Sequence, residues 1–353
     1  MSAQPPRGFP EAEFRARTER AQALMAASGL DAMLLTTEAD VRYFTGFLTQ
    51  FWQSPTRPWF VVVPSAGKPV AVIPEIGAAL MARTWIDDIR TWPSPRPADE
   101  GVSLLADSLS ALCGPHARLG IPMGPETHLR MPLADYERLR ERLPGIAIAD
   151  ASDVMCGLRM VKSPTEIEKI GYACAQVSTV FEALPSMLSP GMSEREIFRR
   201  FKIACLDAWL DDVTYLVGGA APGGYDDIIS PPSERPLAPG DVLMLDTGAV
   251  FDGYYCDFDR NYAVAPVEEA AHRAYDVLYA ATEAGFAAAT PGALCSDVFK
   301  AMQAVLEKGG AQGNDVGRLG HGLGMQLTEW PSLTADDTTA LQPGMVLTLE
   351  PAM

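Results

Sequence analysis

The sequence predicts an α/β domain over residues 1–155 followed by an α+β domain over residues 156–353. Three observations lead there. A chain of 353 residues is longer than one hydrophobic core ordinarily organises. Apolar runs of strand length alternate with helical patterns as far as residue 150, the mark of a mixed sheet covered by helices. Beyond residue 160 the order changes to two long amphipathic segments, then paired strands, then helices again.

The elements follow in order. Residues 11–28 carry Phe14, Ala21, Leu24 and Met25 on one helical stripe, and Gly29 ends it. Residues 31–37 read as a buried strand, with the apolar stretch 41–47 close behind. The runs at 59–63 and 69–73 flank Pro64-Ser65-Ala66-Gly67-Lys68, which predicts a hairpin. Strand signals at 89–92, 118–121 and 146–148 alternate with helices near 102–112 and 133–143. Past the boundary, residues 166–184 and 194–210 read as long helices. The stretch from Ala220 to Asp227 reads as a Gly-rich loop walling a site. Residues 241–264 hold two strands about Asp252-Gly253, a dipeptide suited to a two-residue hairpin turn. Helices near 268–289 and 296–308 and a last strand over 345–349 complete the reading.

Composition narrows the function classes. Hydrophobic residues at 48% and charged residues at 21% fit a globular chain with a packed core. A net charge of −17 argues against nucleic acid or an anionic membrane as partner, since both select basic surfaces. No apolar run reaches the roughly 20 residues that a membrane-spanning helix needs. The first residues contain no apolar signal-peptide core. Six scattered cysteines without a C-x-x-C pair suit a reducing compartment, so a cytoplasmic location is expected.

The chemistry concentrates in four segments: Leu245-Asp246-Thr247-Gly248, Cys256-Asp257-Phe258-Asp259-Arg260, Gly320-His321-Gly322-Leu323-Gly324 and Leu349-Glu350-Pro351. If Asp252 and Gly253 form the turn, Asp246 faces Asp259, and period-two alternation puts Asp246, Gly248, Asp257 and Asp259 on one sheet face. Three carboxylates on one face are costly to bury without a cation. A solvated edge hairpin is the plain alternative, but the apolar run Val242-Leu243-Met244-Leu245 belongs to a core. The glycines around His321 allow close backbone approach and positive φ, and Glu350 ends an apolar run before Pro351. Hard carboxylates plus one imidazole suit divalent Mn, Zn, Co or Fe.

Taken together these segments resemble the pita-bread metallopeptidases, the family of prolidase, aminopeptidase P, methionine aminopeptidase and creatinase. The resemblance runs through nearly the whole chain. Arg20-Ala21-Gln22-Ala23-Leu24-Met25, residues 29–35 and residues 41–47 resemble the creatinase-type N-terminal domain, and residues 158–167 resemble the start of the catalytic domain. The resemblance implies a pita-bread catalytic domain with Asp246, Asp257, His321 and Glu350 as metal ligands, Asp257 bridging two divalent ions. It implies an enzyme of the Xaa-Pro peptidase type, in which a metal-activated water attacks the amide carbonyl of a small peptide. A homodimer is implied as well, with the N-terminal domain shaping the pocket. Asp259, Arg260 and Thr328 are candidates for supporting roles behind the ligands, and Tyr43 and Trp52 for pocket aromatics, with core packing the plainer reading of both aromatics.

Three departures stand against this pattern. The family's fifth ligand, a bridging Glu beyond Glu350, has no counterpart before Met353, so a C-terminally truncated catalytic domain that binds metal weakly is expected. Thr328 stands where the peptidases carry a second His, and Ile229 where they carry an upstream one. His116, His128 and His272 lie too far off in sequence to replace either. A non-peptidase hydrolase or lyase acting on a small metabolite is therefore the second reading, and a non-catalytic binding protein the third.

Overall fold

A computed structural model describes residues 3–189, 191–225, 227–311 and 317–353. The chain forms two compact units, one of Gly8–Arg159 and one of Met160–Met353 joined by the N-terminal segment through Arg7.

In the first unit, helix α1 (Glu11–Ala27) precedes strand β1 (Ala32–Leu35). Residues 38–45 form a helix, α2 (Glu38–Thr45). Thr37 caps its start by accepting from the Asp40 N–H, and Gly46 closes it at φ +73°. Strands β2 (Phe60–Pro64) and β3 (Val70–Pro74) make the expected hairpin. A single turn, α3 (Ala78–Met81), leads to β4 (Ile89–Trp92), α4 (Val102–Cys113), β5 (Arg118–Ile121), α5 (Leu133–Arg142), β6 (Ala147–Asp150) and α6 (Ser152–Arg159). The sheet order is β4-β3-β2-β1-β5-β6, with β1 and β2, and β2 and β3, antiparallel and the remaining pairs parallel. Every residue of β1, β2 and β3 is buried, as a sheet covered on both faces requires.

In the second unit, α7 (Pro164–Met187) starts with a capping box in which Ser163 and Glu166 bond each other's backbone N–H. It is followed by α8 (Glu194–Asp207), β7 (Asp212–Pro222), β8 (Asp241–Phe251), β9 (Tyr254–Tyr255) and β10 (Phe258–Ala263). Then come α9 (Glu269–Ala288), α10 (Cys295–Lys308), β11 (His321–Gly322) and β12 (Glu329–Ser332). The hairpin register is as expected: Phe251 faces Tyr254 and Asp246 faces Asp259, with positive φ at both Asp252 and Gly253. One face of β7, β8 and β10 packs on α7 and α8 through Leu243, Leu245, Ala249, Phe251 and Cys256. The carboxylates occupy the other face.

Two elements differ from the sequence reading. That reading has no strand between residues 210 and 222, yet β7 pairs with β8 there over most of its length. Its Gly218, Gly219 and Pro222 are weak strand formers, and a bulge at Val213/Tyr215 hides the alternation. Residues 345–349, expected as a strand, make only isolated bridges at Met345 and Leu347. Their bonds go to the bent segment around Gly320, with Thr348 N–H donating to His321 O and Glu350 N–H to Leu319 O. A backbone at φ +144° at Gly320 cannot carry a regular ladder.

Candidate metal centre

The hairpin β8–β10 presents Asp246, Gly248, Asp257 and Asp259 on one face by register alone. His321 and Glu350 reach it from the bent segment and the chain that lies beside it. Ligand-capable atoms of Asp257, His321 and Glu350 all lie within 4.8 Å of one another. His321 Nε2 is 3.4 Å from Asp257 Oδ2 and 3.4 Å from Glu350 Oε1.

Steric needs dictate the residues beside the imidazole. A Cβ at Gly320 would meet the Thr348 carbonyl oxygen at 2.2 Å, and one at Gly322 would meet that of Trp330 at 2.1 Å. Only glycine lets both neighbouring backbones approach so closely. Thr348 then fixes His321 itself, its hydroxyl accepting from the His321 N–H at 3.0 Å.

The imidazole shows which nitrogen is available. Nδ1 lies 2.8 Å from the Gly322 carbonyl oxygen, which can only accept, so Nδ1 carries the proton and Nε2 presents a lone pair. A lone pair and two carboxylates thus converge on one region. That set repels itself when empty and is satisfied by a divalent cation, so the donors present fit a metal.

The electrostatics agree. Burial, then Glu350 and Asp246, push the Asp257 carboxyl up to about 9, with Arg318 acting against them. Burial, then Asp259 and Glu350, push Asp246 up to about 7, while the Tyr215 hydroxyl donates to it and opposes the rise. Burial likewise raises Asp259, whose Oδ2 accepts from Asn261 Nδ2 at 3.1 Å. At about 9, Asp257 holds near neutral pH a proton that a cation would displace.

The other sequence candidates have the following places. Arg260 lies on the opposite face of β10, its guanidinium 4.9 Å over the Phe258 ring. Thr328 Oγ1 accepts from Arg318 Nη2 at 3.3 Å. Ile229 is 74% exposed and supplies no polar group. In the first unit, Tyr43 is fully buried, its hydroxyl donating to Leu158 O and accepting from Arg20. Trp52 stacks under Arg130 at 5.1 Å.

Sequence reasoning missed several neighbours. Tyr215 faces Gly248 across the β7–β8 register and reaches Asp246, but β7 itself was hidden. Leu327 fills the space over Gly248, its Cδ1 2.3 Å from where a Cβ would stand. Lys162 and Glu329 form a buried ion pair at 3.3 Å, each side chain 1% exposed. Glu329 also accepts from the Gln326 N–H at 3.0 Å, which holds the turn that carries Leu327 and Thr328. The Lys162 signal lies in residues 158–167, and its partner is not deducible from spacing.

Residues 168–353 match metallopeptidase family M24, and residues 17–161 match the creatinase/prolidase N-terminal domain. A probable dipeptidase PepE of Mycobacterium tuberculosis is 28% identical, covering 98% of this chain and 89% of its own. The Xaa-Pro dipeptidase of Pyrococcus furiosus is 28% identical over 57% of this chain and 58% of its own. The crystal structure of dipeptidase PepE from Mycobacterium ulcerans is similar at a TM-score of 0.83 and 27% identity, covering 97% of this chain and 89% of that one. Recombinant prolidase from Thermococcus sibiricus shares the fold at a TM-score of 0.85 and 24% identity, over 98% and 90% of the two chains.

Proposed function

The chain belongs to metallopeptidase family M24, and on that premise we propose that it is a metal-dependent dipeptidase of the Xaa-Pro type. The observation that carries the reading is the convergence of His321 Nε2 on Asp257 and Glu350 at 3.4 Å each. The curated relatives, named as dipeptidases, support the substrate class.

Asp257, His321 and Glu350 would hold one divalent ion, and Asp246 with Asp257 a second, with Mn, Co, Zn or Fe all suited to the donors. When bound, such ions acidify water and polarise an amide carbonyl, which is the chemistry that peptide hydrolysis needs. The protein's own residues set the stage for it. Tyr215 donates to Asp246 and fixes one carboxylate oxygen. Asn261 holds Asp259 in the same way. Gly322 O keeps the imidazole in the Nδ1–H tautomer, so that Nε2 stays a lone-pair donor. The Glu350 side chain keeps 35% exposure, against 5% for Asp257, so Glu350 lies on the more open side of the cluster. Leu327 over Gly248 limits water on this face.

The test is hydrolysis of Xaa-Pro dipeptides and of matched dipeptides without proline, by chelator-stripped protein with and without added Mn. Metal-dependent cleavage of the proline peptides supports the reading. Thr328 and Ile229 favour the second reading, a non-peptidase hydrolase or lyase acting on a small metabolite, and metal binding without cleavage of either peptide set would overturn the peptidase reading.

A further inference from the structure

Strand β7 ends at Pro222, and the chain turns at the two glycines that follow. Gly223 and Gly224 stand at φ +74° and +153°, which residues with side chains rarely adopt. Gly223 N–H donates to Gly240 O at 3.0 Å and fixes the turn. The turn delivers Tyr225, whose hydroxyl donates to Asn261 Oδ1 at 2.6 Å. Asn261 belongs to β10, and β8 stands between β7 and β10, so this tyrosine spans the central strand. By alternation Asn261 shares the face of Asp257 and Asp259, and its Nδ2 donates to Asp259 Oδ2 at 3.1 Å. An ionised carboxylate only accepts, so the amide nitrogen faces Asp259 and the amide oxygen faces Tyr225. Each bond therefore fixes the direction of the other. Asp259 in turn stands directly opposite Asp246 in the hairpin register. Side chains paired in this way begin about 4.5–5.5 Å apart, so an ion held by Asp246 lies in the field of Asp259.

We propose that Tyr225 is a positioning residue: through Asn261 it holds Asp259 where that carboxylate strengthens the grip of Asp246 on a divalent ion. The proposal rests on the two-ion reading above and deepens it. Hydrogen-bonded groups behind a metal's ligands set their orientation and the local charge, and metal affinity depends on both. The Gly-rich stretch thus contributes to the metal centre from outside the hairpin, through a single phenol.

The test is calorimetric titration of Mn into chelator-stripped protein, with urea unfolding of the same metal-free samples. Asp246→Asn identifies the binding step that Asp246 serves. The other variants are Tyr225→Phe, Asn261→Leu and the two combined. Tyr225→Phe removes one oxygen and keeps the ring. It is expected to weaken the Asp246 step by roughly tenfold, the low end of the loss when a hydrogen-bonded group behind a metal site is removed, and to leave any other step as in wild type. Asn261→Leu should weaken the same step, and the double variant should be no weaker than Asn261→Leu alone, because Tyr225 acts through Asn261. An Asp246 step unchanged in Tyr225→Phe, or losses that multiply in the double variant, overturns the proposal. Equal loss in every step together with a lowered urea midpoint also overturns it, because Tyr225 would then serve the fold alone. If Asp246→Asn leaves the wild-type isotherm unaltered, the two-ion reading fails and takes the proposal with it. That failure is read from Asp246→Asn, and the proposal's own from Tyr225→Phe.

Discussion

At Gly322 the backbone of a neighbouring strand stands where a side chain would begin, 2.1 Å from the Trp330 oxygen. Gly322→Ala is therefore expected to destabilise the protein by about 1–3 kcal/mol through overpacking and to weaken metal binding, read by denaturant unfolding and Mn titration. The conflict at Asp257 is electrostatic. Asp257→Asn spares the proton uptake that burying this aspartate requires near neutral pH, so it should raise the stability of the metal-free protein there by about 1–3 kcal/mol while removing Mn binding. Thermal unfolding with and without Mn checks both halves, and a destabilised metal-free variant would contradict the account. The face occupied by Asp246 and Asp259 was legible in the sequence, because a two-residue turn at Asp252-Gly253 sets the register of everything before and after it. Tyr215 was not legible, because it acts on Asp246 from a strand the sequence hides.

Among elements, two buried ion pairs fix the frame of the site. Lys169 on α7 donates to Asp252 in the hairpin turn at 2.6 Å and to Pro6 O at 2.6 Å. Lys162 holds Glu329 at the start of β12. Breaking such a pair leaves a charge without its partner, which costs about 3–5 kcal/mol. Lys162→Met is expected to lose about that much, and Lys162→Met with Glu329→Leu to regain most of it, by urea unfolding. A double variant no better than the single one would show that the pair is not the source of the loss. The capped helices and the hairpin were readable from local signals. Strand β7 was not, since its bulge and its glycines erase the alternation that marks a strand. The segment after Met345 reads as a strand by composition, but its partner is bent at Gly320.

For the whole molecule, the cluster predicts a pH dependence. Asp246 and Asp257 are raised to about 7 and about 9 in the folded state, above roughly 3.9 for an unfolded aspartate. Between those values the native state binds more protons than the unfolded one, so the contribution is fully present below about pH 3.9 and is lost as pH rises through 7 and 9. Asp241, held low first by its hydrogen bond with Arg235, has the opposite sign and loses its contribution as pH falls into the acid range. Metal-free protein should therefore be most stable at mildly acidic pH and weaken toward pH 9, while metal-loaded protein keeps its stability there. Unfolding midpoints across that range, with and without Mn, test this, and a flat metal-free profile would contradict it.

The central claim, that Asp257, His321 and Glu350 with Asp246 form a divalent metal centre, is tested most directly by calorimetric titration of Mn into chelator-stripped wild type and Asp257→Asn at about pH 7.5. In wild type the account predicts saturable binding with proton release, seen as a heat that changes with buffer ionisation enthalpy. It predicts no comparable binding in Asp257→Asn. Identical isotherms from the two proteins would contradict it.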